Sequence, residues 1–137
     1  MARPSTEVIG ALRTAAARLR EGADYQWGHA GSCNCGQLAQ VVTGLERAAI
    51  YREVAGEWSE YLVDRCAVTG SRVDDVVATM VRFGFEPAEL ADLEQLSDPE
   101  VLAALCGGPR YLRHNDRDHV VEYLEAWAAM LERRVAA

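Results

Sequence analysis

The stretch NDRDHVVEYLEAWAAMLERR, residues 115–134, places Val120, Leu124, Trp127 and Leu131 at steps of four, three and four residues. That spacing lays one apolar row along an α-helix with charged residues on the other faces, and its length exceeds that of an ordinary strand. The same period recurs upstream. Ser5 can cap a helix whose row is Val8, Leu12, Ala15 and Leu19, ending at Gly22. A second helix begins near Cys35, with Ser32 or Asn34 as its cap, and carries Leu38, Val41 and Val42. The pattern runs on from Leu45 to Val54, so Gly44 is either a break or a weak point.

Further helices follow at similar spacing. Trp58, Leu62 and Cys66 share one face after Gly56, which turns Cys66 inward. Ser71 opens a helix with the stripe Val73, Val76, Val77 and Met80, ending at Gly84. Pro87 opens a short one with Leu90, Leu93 and Leu96. Asp98-Pro99-Glu100 starts another that should stop at Gly107-Gly108-Pro109. Apolar and polar residues nowhere alternate long enough to make a strand. The expected fold is all-α: a compact single domain over residues 1–137, a bundle of about six helices with a glycine- and cysteine-rich loop between the first two.

Half of the 137 residues are hydrophobic and 26% are charged, an ordinary globular composition with no stretch long enough to span a bilayer. The N-terminus runs straight into the amphipathic pattern without an apolar signal core, so the expected location is the cytoplasm. A formal net charge of −7 argues against nucleic acid and anionic membrane as partners, since both reward a basic surface. A small-molecule ligand and a homodimer remain compatible with the sequence.

The chemistry concentrates in WGHAGSCNCG, residues 27–36, which gathers one imidazole, two thiols and three glycines. In a reducing compartment such thiols are metal ligands, redox groups or buried apolar residues rather than a disulfide framework. His29, Cys33 and Cys35 offer the nitrogen and sulfur donors that borderline metals take. His114 and then Cys66 are the preferred fourth ligands, ahead of His119 and Cys106. Zinc fits mixed nitrogen and sulfur ligation best, with iron or copper as alternatives. At the start of a helix Cys33 and Cys35 should also be unusually acidic, because the dipole favours the thiolate.

Trp27 is expected to wall a pocket at this loop, and Arg113, grouped with Arg110 and Arg117, to bind an anionic substrate group. The competing reading pairs those arginines with Asp116, Asp118 and Glu122 on the surface. Asp116 and His119 have the spacing of half a carboxylate di-iron motif, but no second copy is present.

The strings WGHAGSCNCGQLAQ, LSDPEVL and LRHN, with the V-V-x-Y-L-x-x-W terminal helix, resemble a group of small bacterial helical proteins of similar length. No activity is established for that group. The resemblance implies that His29, Cys33, Cys35 and His114 belong to one architecture and leaves their role open.

Three functions stand from this reading. The first is a transition-metal-binding protein, structural or a small metalloenzyme, although no well-placed general base is evident. The second is a C-x-C thiol-disulfide redox protein using Cys33 and Cys35. The third is a helical interaction module whose metal only locks the loop.

Overall fold

The computed structural model describes residues 4–29, 31–46, 49–50 and 72–136. Six helices and no strand are present among them: α1 (Thr6–Arg20), α2 (Asn34–Thr43), α3 (Arg72–Phe83), α4 (Pro87–Gln95), α5 (Pro99–Ala103) and α6 (Arg117–Ala136). The all-α expectation holds. No helix among the described residues is long and apolar enough to cross a membrane.

The core is built on α1 and α6, the most extensively packed pair among the described helices. Val8, Leu12, Ala15 and Leu19 on α1, and Val120, Leu124, Trp127 and Leu131 on α6, are all buried, as their spacing requires. Ion pairs join Arg13 to Glu132 and Arg20 to Glu125, so residue numbers rise on one helix as they fall on the other and the two run antiparallel. Trp127 packs edge-on against Phe85 and Tyr123, and the Tyr123 hydroxyl accepts the Asp98 N–H at 3.2 Å, tying the start of α5 to α6. Helix α2 lies against α1, α3 and α4, and the residues of its first turn are buried.

Helices α1 and α5 start where the sequence places them, each with a side-chain cap. The Ser5 hydroxyl accepts the Val8 N–H at 3.2 Å, and Asp98 accepts that of Glu100 at 2.9 Å. Glu86 and Glu89 form a capping box around Pro87. Helix α6 begins at Arg117, with Asp116 Oδ1 accepting from the Asp118 and His119 amides at 2.9 and 3.2 Å. Asp116 is therefore a cap and not half of a metal motif.

One boundary left open is decided, and two differ from expectation. Gly44 is a true break, taking the left-handed conformation at φ 76° as the C-cap of α2, and Leu45 beyond it is not helical. Helix α5 stops at Ala103 and not at Gly107, the chain continuing through turns. Cys33, rather than Ser32 or Asn34, is the N-cap of α2. The expected helix carrying Trp58, Leu62 and Cys66 lies outside the described residues.

Candidate functional site

Between α1 and α2 the backbone folds onto itself. The Ser32 and Cys33 amides both donate to the His29 carbonyl at 3.0 Å, and the Gln26 amide donates to the Ser32 carbonyl at 3.1 Å. Gly28 and Gly31 allow this path with φ of 83° and 91°, values that strain residues bearing a Cβ. Gly36 serves differently. It sits in the first turn of α2 against the Gly31 backbone, where an added Cβ would lie 2.5 Å from the Gly31 carbonyl carbon. Two buried glutamines on α2 then hold the loop: Gln37 Nε2 donates to the Asp24 and Ser32 carbonyls at 2.8 and 2.9 Å, and Gln40 Nε2 donates to the Gly31 carbonyl.

The first residue of α2, Asn34, is fully buried and ties together segments far apart in sequence. The last carbonyls of a helix have no partner within it. At the end of α4 the Leu93 and Glu94 carbonyls accept from Asn34 Nδ2, each at 3.1 Å, and the same amide group donates to the His114 carbonyl at 2.9 Å. Asn34 Oδ1 accepts from the Tyr25 hydroxyl at 2.7 Å. The Trp27 indole N–H adds a bond to the Glu94 carbonyl at 3.0 Å. In the opposite sense, Glu94 Oε1 accepts the Cys35 N–H at 2.8 Å, placing a carboxylate at the positive end of α2. The tail of α4 and the head of α2 thus satisfy each other's unpaired groups. Sequence reasoning weighed Asn34 only as a helix cap and did not single out Glu94. Nothing in local spacing links position 34 to positions 93, 94 and 114.

The two thiols belong to this junction. Cys33 Sγ accepts the Gly36 N–H at 3.4 Å, and the Cys35 thiol donates to the Leu90 carbonyl at 2.8 Å. Burial pushes both thiols well above their ordinary range, and the Glu94 carboxylate raises them further. This corrects the expectation of acidic cysteines. The helix end is present, but desolvation and a neighbouring negative charge outweigh its dipole. Since the thiolate is the nucleophile and the metal-binding form, both groups are held in their unreactive state.

The histidines are dispersed around the junction. His29 Nδ1 lies 3.3 Å from Ser32 Oγ, within its own turn. The His114 ring packs against Trp27 with centroids 4.5 Å apart. His119 Nδ1 accepts the Arg113 N–H at 2.8 Å, which assigns that nitrogen as the unprotonated one. Among the described residues no three His, Cys, Asp or Glu side chains form a group that could hold a metal ion, so His29, Cys33, Cys35 and His114 are not brought together as one ligand set. Cys66 lies outside the described residues, and Cys106 is exposed on the surface.

Two of the three arginines pair with surface carboxylates and the third reaches back to α1. Arg113 pairs with Asp116 at 2.7 Å, and Arg110 pairs with Glu122. Arg117 donates to the Leu19 carbonyl at 2.8 Å and lies over the Tyr25 ring, 5.8 Å from its centroid. Trp27 is 38% exposed and anchored at its indole nitrogen, so it links the loop to α4 and to the segment before α6.

Comparison of the chain with protein-family models, curated proteins and solved structures found no match.

Proposed function

We propose that the protein is a non-catalytic helical binding module of the cytoplasm, in which residues 27–36 form an internal clasp. One observation carries this reading: Asn34, at the centre of the segment, is fully buried, and its side chain bonds three backbone carbonyls and one tyrosine hydroxyl. A buried amide with such a set of partners fixes loop geometry. The thiols beside it are hydrogen-bonded and held protonated, which opposes C-x-C redox chemistry by Cys33 and Cys35. The net charge of −7 favours a small-molecule or protein ligand over nucleic acid or an anionic membrane.

A second reading, a transition-metal site for zinc, iron or copper, has one observation in its favour. The Glu94 carboxylate acts on both thiols, and a cation bound there would displace their protons and cancel the repulsion that raises them. Cys66 is the further ligand that this reading calls for. The experiment that separates the two is the metal content of anaerobically purified protein, by plasma mass spectrometry, beside a Cys33→Ala/Cys35→Ala variant. The clasp predicts no stoichiometric metal and a fold indifferent to chelator. Near-stoichiometric zinc, iron or copper that is lost in the variant would overturn it in favour of the metal site.

A further inference from the structure

Beside the clasp lies a partly open pocket of about 60 Å³, walled among the described residues by Cys35 and Ala39 of α2, by Ile50, by Val76, Val77 and Met80 of α3, and by Pro87 and Leu90 of α4. We infer that this pocket is a binding site for a small apolar molecule, of the size of a diatomic gas or a two- to three-carbon hydrocarbon. The inference rests on the clasp reading, because it takes Cys35 as a neutral thiol already bonded within the fold.

Chemistry selects the class of guest. A bound water needs two to four polar partners, which an aliphatic wall does not offer, so the pocket favours apolar guests over an ordered water. The polar groups at this wall already have partners: the Cys35 thiol donates to the Leu90 carbonyl, and the carbonyl of Gly31, which also borders the space, accepts from Gln40. The side chains left to meet a guest are methyl and methylene groups and the Met80 thioether, a soft and polarisable contact. Size selects within the class. A cavity of about 150 Å³ accommodates benzene, so one of this volume suits about two to three non-hydrogen atoms.

Position gives the guest a consequence for the fold. Gly31, Cys35 and Gly36 border both the cavity and the clasp, so an occupant would pack against the first turn of α2 and add dispersion contacts that an empty space lacks. Occupancy is therefore expected to stabilise the junction between α2 and α4.

The test uses the full chain with xenon as the probe, read by methyl resonances under increasing gas pressure. The expected result is a saturable shift of the Ile50, Val76, Met80 and Leu90 methyls, with those of Val8 and Leu12 on α1 unmoved. Ala39→Leu, which fills the space from α2, should abolish the saturable shift while the protein stays folded. Val77→Leu provides the same test from α3 if that variant does not fold. Shifts that are absent, or linear in pressure and uniform over the molecule, would overturn the inference, as would a cavity already filled by water or by the chain's own side chains. Xenon that binds while Cys35 labels rapidly in the native state would overturn the clasp and leave the site. Protected thiols without xenon binding would overturn the site alone.

Discussion

Helices α1 and α6 and the clasp at the head of α2 are both buried, yet different forces hold them. The pair is joined by two apolar rows, and its cohesion is the area those rows remove from water. The clasp buries Ser32, Asn34, Gln37 and Gln40, and its cohesion comes from side chains that supply hydrogen bonds to backbone groups the helices cannot pair themselves. Apolar contact is undirected and tolerates repacking, whereas a buried polar junction loses heavily when one partner is withdrawn. The two regions should therefore respond to different perturbations.

The largest effect is expected in the apolar pair. Trp127→Ala should cost about 4 kcal/mol in urea unfolding through the cavity it leaves. Trp127→Phe should cost far less, because the indole N–H has no acceptor among the described residues and its removal forfeits no bond there. In the clasp, Asn34→Ala should cost about 2 kcal/mol, since the Leu93, Glu94 and His114 carbonyls each lose one donor while keeping the Leu96 N–H, the Trp27 indole and the Tyr25 hydroxyl respectively. A loss below about 1 kcal/mol would show that solvent replaces the amide and that the junction is not a closed one.

Alkali should weaken the clasp selectively. Both thiols are raised above their ordinary value of 9.0, so the folded state retains protons that the unfolded chain releases. The stabilising contribution is thus complete below about pH 8 and falls as the pH passes 9.0, the slope approaching about 1.4 kcal/mol per pH unit for each thiol only about one unit higher. Unfolding measured between about pH 8 and 9.5 should show the onset of this loss, before Tyr25 and Tyr123, also raised above their ordinary value of 10.0, add to it. The slope should roughly halve in Cys33→Ala. The smallest effect belongs to the surface of the apolar pair, where Arg13→Ala should change stability by less than about 1 kcal/mol, because both partners of the Arg13–Glu132 pair are solvent-exposed.

The same contrast decides what could be read from the chain before its structure. The rows of α1 and α6, the Ser5 and Asp98 caps and the proline starts are local patterns, and each lies where its spacing puts it. Three glycines around two cysteines mark residues 27–36 as an unusual backbone path, which the sequence offers as a metal or redox site. Its chemistry was not legible. Whether Cys33 and Cys35 meet a cation, water or the Glu94 carboxylate depends on a residue about sixty positions away, and burial reversed the pKa direction that the helix end alone would give. His114 illustrates the same limit: its backbone carbonyl, rather than its imidazole, joins the junction, and no side-chain pattern announces a carbonyl.

The most direct test of the clasp is thiol labelling of the native protein in the presence of chelator, with each modified position identified by mass spectrometry. Cys106, exposed on the surface, should react at once and serve as the internal reference, while Cys33 and Cys35 should react only at the rate of unfolding and accelerate with added urea. Labelling of Cys33 or Cys35 as fast as Cys106 without denaturant would contradict the account and return the cysteine loop to the status of an open reactive site.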